Sequence, residues 1–113
     1  MKTINMEVNP VRIESTDISD VGQVHNFSKI FDGRSISDFN LIRFIVSPDR
    51  LSDLDQHHVK EYWYFAKGNG ILFVDDQQIS AKEGELYFFD SFVKHQVKNT
   101  SSDTAMEILS IWW

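Results

Sequence analysis

Cysteine is absent from these 113 residues, so disulfides, thiolate metal sites and cysteine nucleophiles are all excluded. Basic residues are scarce beside acidic ones, 11 against 17, and the formal net charge is −6. The densest basic patch, Lys94 with Lys98, is too small to neutralise a run of phosphates, which argues against nucleic acid as a partner. The same acidic balance disfavours anionic membrane surfaces. No stretch approaches the ~18 apolar residues of a spanning helix. The start, Met1-Lys2-Thr3-Ile4-Asn5-Met6, lacks the apolar run of a secretion signal. A cytoplasmic protein with no membrane partner is the expectation. Internal repeats and low-complexity tracts are missing as well, and the length suits a single domain.

What is present is aromatic and short-period. Nine Phe, three Trp and three Tyr supply large buried areas per residue, which suits a compact barrel. After residue 38 the apolar residues alternate at the period of a strand. Phe39 to Val46 is rich in β-branched and aromatic residues and ends at Ser47-Pro48-Asp49. Further strands are predicted at His57 to Phe65, Ile71 to Val74, Gln78 to Ala81, Glu85 to Phe89, His95 to Lys98 and Ala105 to Trp112. The turns between them are Gly68-Asn69-Gly70, Asp75-Asp76-Gln77, Lys82-Glu83-Gly84 and the polar segment Asn99 to Asp103. Short strands at this spacing predict an all-β antiparallel sandwich or barrel.

Residues 1–38 read less distinctly, as a strand or extension belonging to the same domain as the barrel of 39–113. Val8 to Ile13 is a possible strand, confined by Pro10 to an edge or a bulge. Ser15 to Gly22 is polar and turn-like, and Val24 to Ile30 fits a strand or one helical turn.

Two segments resemble the paired motifs of the cupins. The first motif runs Gly, five residues, His-x-His, three or four residues, Glu, six residues, Gly. Here His57 falls on the second His, Glu61 on the Glu and Gly68 on the closing Gly, with Asp55 in place of the first His and Asp49 in place of the opening Gly. The second motif runs Gly, five residues, Pro-x-Gly, two residues, His, three residues, Asn. Gly84, His95 and Asn99 match it, while Asp90 replaces the Pro and Phe92 the inner Gly. The chain thus resembles a small single-domain cupin over residues 39 to 112. The resemblance implies a double-stranded β-helix, the cupin jelly-roll barrel.

The residues themselves agree with that fold. In a regular strand Asp55, His57 and Glu61 share one face, with Trp63 and Phe65 continuing it as an apolar wall. In cupins that face points into the barrel, and the later His, here His95, comes from a neighbouring strand. Asp55, His57, Glu61 and His95 would then form an N/O ligand set for one divalent transition metal: Mn, Fe, Ni or Zn. A bulge at Gln56-His57-His58 would instead offer His58 as the ligand. The alternative is a metal-free hydrogen-bonded cluster, because buried polar groups need partners in either case. Trp63, Phe65 and Phe92 are the pocket-lining candidates, and Glu61 is the candidate for proton transfer.

The resemblance implies a small-molecule partner without naming it, since the fold alone selects no reaction. Two functions stay open. One is a metal-dependent oxidoreductase or lyase with dioxygenase-, decarboxylase- or isomerase-type chemistry. The other is a non-catalytic or metal-free ligand-binding module. An exposed sheet edge and the terminal Trp112-Trp113 pair suggest a homodimer.

Overall fold

The structure, a computed structural model, describes residues 13–27 and 39–113. The described residues form nine strands: β1 (Ile13–Ile18), β2 (Gly22–Phe27), β3 (Asn40–Val46), β4 (Glu61–Lys67), β5 (Gly70–Val74), β6 (Gln77–Ala81), β7 (Leu86–Phe89), β8 (His95–Asn99) and β9 (Met106–Trp112). Among them no helix is long and apolar enough to cross a membrane. One sheet has the order β1-β2-β3-β9-β4-β7 and the other β6-β5-β8, with antiparallel pairing throughout.

Alternation decides which side chains meet between the sheets. Glu61, Trp63 and Phe65 on β4 are buried while Tyr62 and Tyr64 are exposed. On β8 the buried set is His95, Val97 and Asn99, and on β9 it is Met106, Ile108 and Ser110. Val46, Trp63, Phe65, Phe89, Met106 and Ile108 from the large sheet pack with Leu72, Ala81 and Val97 from the small one. Two antiparallel sheets closed on one apolar core make the all-β sandwich predicted from the strand pattern, in the jelly-roll form that the cupin resemblance implies. On the outer face Tyr62 lies against Phe88 and Trp113, with ring centroids 5.2 and 5.6 Å away.

Two segments depart from the sequence reading. Ser15 to Ile18, read as turn-like, belongs to β1, and the turn is confined to 19–21. Among the described residues β1 is a largely exposed edge strand paired with β2 alone, so its polar residues need no alternation, and a polar edge also discourages pairing with other chains. The strand predicted from His57 begins only at Glu61. Upstream of it, residues 51 to 55 run beside β8. Leu51 bridges Lys98, Ser52 exchanges hydrogen bonds with Val97, and Asp55 bridges His95. Residues 8–12 and 28–30, where strands were also considered, lie outside the described residues.

Several contacts fix the frame around the site. All four positions that the cupin motifs give to glycine have positive φ here: Asp49 (60°), Gly68 (87°), Gly84 (88°) and Phe92 (65°). The left-handed turns are therefore kept even where this chain carries Asp and Phe. β2 lies so close to β3 at Gly22 that a Cβ there would sit 1.7 Å from the Ile45 carbonyl oxygen. Asn99 is buried and donates from Nδ2 to the carbonyls of Val46 (3.0 Å) and Thr104 (2.8 Å), tying the end of β3 to the β8–β9 loop. Asp75 does more than turn the β5–β6 hairpin. It exchanges backbone and side-chain hydrogen bonds with Lys94 and so anchors the residue before His95.

Candidate metal centre

His95 opens β8 and points inward, 1% exposed. Its backbone N–H donates to the Asp55 carbonyl, and the Asp55 N–H donates in return, both at 3.0 Å. The imidazole stacks on Phe89 with centroids 4.2 Å apart and planes 2° from parallel, and it meets Trp63 edge-on at 4.9 Å. Nδ1 lies 2.9 Å from the Val93 carbonyl oxygen. A carbonyl only accepts, so Nδ1 carries a proton and Nε2 is the nitrogen facing the site. Nε2 is 2.7 Å from Glu61 Oε1.

Glu61 opens β4 and is 4% exposed. Oε2 accepts from Trp63 Nε1 (2.8 Å) and from Ser110 Oγ, while Oε1 accepts from His95 and lies 3.3 Å from His57 Nε2. Burial works against ionisation, but the hydrogen bonds from His95, Ser110 and Trp63 outweigh it and hold this carboxyl below its usual range. In His95 burial opposes the charged form, while Glu61, the Val93 carbonyl and Asp55 favour it, and the net direction is upward. Asp55 is half-buried, and desolvation, reinforced by the neighbouring Glu61 and Asp53 charges, raises it despite the histidines.

His57 reaches the cluster from a loop, not from a strand face. Its carbonyl accepts from the Phe92 N–H at 2.7 Å, and Gln56 Nε2 donates to the Phe92 carbonyl at 3.1 Å. The loop carrying His57 is thereby clipped to the loop that leads into His95. The two imidazoles lie 5.6 Å apart at 82°. His57 Nδ1 is buried without a hydrogen-bond partner among the described residues.

Asp55, His57, Glu61 and His95 therefore form one cluster, with one potential ligand atom from each lying within 4.8 Å of the others. His58 is exposed and stands outside it. Ligand bonds of ~2.0–2.2 Å let two ligands of one ion lie no more than about 4.4 Å apart. The distances of 2.7, 3.3 and 4.0 Å for Glu61–His95, Glu61–His57 and Asp55–His95 all satisfy that limit. The widest pair needs only a few tenths of an ångström of closure. Two Nε2 atoms already converge on a single carboxylate oxygen, so a cation could replace the protons between them. On donor chemistry and spacing the residues fit a divalent metal.

A cavity of about 350 Å³ reaches this cluster. Trp63, Asp55 and Glu61 line one end, and Phe44, Val46 and the β1–β2 hairpin line the rest. Phe65 does not line it. Two residues further along β4 carry it away from the mouth, and it is fully buried in the core against Tyr87. Phe92 does not line it either, because its side chain points to solvent, 62% exposed, while its backbone holds His57. Both Glu61 oxygens are engaged, Oε1 with His95 and Oε2 with Trp63 and Ser110. Sequence reasoning missed Ser110, although a lone hydroxyl in the inward series Met106, Ile108, Ser110 was a signal. It also missed the cavity wall contributed by β1 and β2, for which the sequence offered none.

The cupin domain model matches residues 42–112. Among solved structures, a cupin 2 conserved barrel domain protein from Salinispora arenicola superposes with a TM-score of 0.75 at 19% identity, covering 97% of this chain and 90% of that one. A predicted oxalate decarboxylase from Thermotoga maritima gives a TM-score of 0.71 at 22% identity, with 92% and 97% covered. The plu4264 protein from Photorhabdus luminescens gives 0.72 at 19%, with 94% and 86% covered. At these identities the neighbours establish the fold, and the family match extends over well more than half of the sequence: this chain belongs to the cupin domain family.

Proposed function

We propose that this protein is a metal-dependent enzyme acting on a small organic molecule, with one divalent metal held by Asp55, His57, Glu61 and His95. The observation that carries the reading is the convergence of these four side chains, two of which, Asp55 and Glu61, line a cavity large enough for a small ligand. With nitrogen and oxygen donors and no thiolate, the set suits Mn, Fe, Ni or Zn. Such an ion would act as a Lewis acid on substrate oxygen atoms.

The chain's own residues supply positioning. Phe89, Trp63 and the Val93 carbonyl fix the His95 ring with Nε2 toward the site. Trp63 and Ser110 hold Glu61 Oε2 and leave Oε1 facing the histidines. Asp55 is the most exposed of the four, with a side chain 45% exposed, and borders the cavity where a substrate enters. The apolar wall formed by Phe44, Val46 and Trp63 excludes water from one side.

A second reading, a metal-free ligand-binding module, is favoured by one observation. The Glu61–His95–Trp63–Ser110 cluster is already hydrogen-bonded without any ion. Turnover separates the two. Metal-loaded protein incubated with a panel of small alcohols, amines and carboxylic acids, followed by NMR, should consume at least one compound. That activity should vanish with a chelator and return with added metal. Saturable binding with no consumption would instead support the module.

A further inference from the structure

The cavity wall is acidic on its polar side and apolar elsewhere. Asp17, Asp53, Asp55 and Glu61 line it, and among the described residues no lysine or arginine does. A divalent ion on Asp55 and Glu61 would offset those two charges, leaving Asp17 and Asp53. Neither forms an ion pair among the described residues, and the contact shown for Asp17 is a 3.5 Å hydrogen bond from Asn26. Ile18, Val24, Ile42 and the rings of Phe44 and Trp63, which meet edge-on at 5.0 Å, line the same cavity.

A pocket with these walls discriminates by charge. An anionic group entering it meets Asp17 and Asp53, exposed carboxylates with no cationic partner among the described residues, whose repulsion is strongest at low salt. A cationic group gains from the same field, and aromatic side chains add a cation–π contribution. The apolar wall favours a hydrocarbon body behind the charge.

We infer that the substrate of this site is a small organic cation with an apolar body, of the alkylammonium class, and that Asp17 and Asp53 select it against carboxylates and phosphates. The inference rests on the function proposed above and deepens it. It also sets this pocket apart from a site for a small dianion such as oxalate, the substrate named for the Thermotoga maritima neighbour.

The test uses three probes of similar shape: choline, its neutral isostere 3,3-dimethylbutan-1-ol, and 3,3-dimethylbutanoate. Each is titrated by calorimetry into zinc-loaded and metal-free protein, at low and high salt. Choline should bind roughly tenfold more tightly than the alcohol at low salt, and the butanoate more weakly than either. High salt should shrink the preference. So should the Asp17→Asn/Asp53→Asn double variant, whose exposed substitutions leave the fold and the zinc stoichiometry unchanged.

Equal binding of choline and alcohol, tightest binding of the butanoate, or no binding of any probe at millimolar concentration would overturn the inference. A preference for choline that survives in a protein unable to bind metal would sustain it while removing the metal-dependent enzyme. Zinc bound with no charge preference would do the reverse.

Discussion

Replacing Glu61 with alanine is expected to destabilise the protein by about 3–5 kcal/mol, the usual consequence of breaking a buried, hydrogen-bonded charge pair. The side chain is almost fully buried and is the acceptor for Trp63 Nε1, Ser110 Oγ and His95 Nε2. Alanine leaves those three donors without a partner in the interior, and each orphaned group costs about 1–3 kcal/mol. For a domain of this size the Tm should fall by roughly 10–20 °C. Ser110→Ala removes one donor and leaves the carboxylate with its others, so its effect should be about 1–2 kcal/mol. Thermal melts of metal-free protein read both. A drop below about 4 °C for Glu61→Ala, corresponding to less than ~1 kcal/mol, would contradict the hydrogen-bonding described for this residue.

Metal affinity is expected to climb steeply with pH. His95 is the ligand whose proton must leave, because Nε2 faces Glu61 and Nδ1 is committed to the Val93 carbonyl. Its pKa lies above the ordinary 6.5, so binding displaces a proton wherever the pH is below that folded value. Below that folded pKa the apparent affinity should rise about tenfold per pH unit, and the slope should flatten above it. Glu61 lies below its ordinary 4.5 and contributes no proton at neutral pH. Asp55 lies above its ordinary 3.8 and steepens the slope below its own folded value.

Stability of the metal-free protein should follow the opposite course at high pH. The raised His95 stabilises the fold fully below about 6.5 and loses that contribution as pH rises through its folded value. The lowered Glu61 stabilises it above about 4.5 and loses that contribution as pH falls through its own folded value. The pair therefore contributes most between those two ordinary values, whereas metal-loaded protein should keep gaining as pH rises. A competition titration with a chromophoric chelator from about pH 5 to 8, the range in which histidine titrates, measures the affinity slope. A flat profile would mean that His95 is not the proton-releasing ligand.

The parts of this molecule that were legible in the sequence are those where burial imposed a period. β4 and β9 alternate strictly because one face meets the core, so Glu61, Trp63 and Phe65 could be assigned to one side. The cluster residues were legible because their spacing matched the two cupin motifs. The route by which they meet was not. Asp55 and His57 sit on a loop held by backbone pairing with His95 and Phe92, and such long-range hydrogen bonds leave no local pattern. β1 was obscure because an exposed edge strand carries no hydrophobic period. Phe92 misled because its position was assigned from side-chain bulk, whereas its backbone at φ 65° is what serves the site.

The most direct measurement is the metal content of protein purified without added metal and then reconstituted with Mn, Fe(II), Ni or Zn, compared with His57→Ala and His95→Ala. The account predicts near-stoichiometric metal in the wild type with at least one of these ions and its loss in both variants, with melts showing each variant still folded. Wild-type protein that takes up none of the four, or histidine variants that bind as well as wild type, would contradict it.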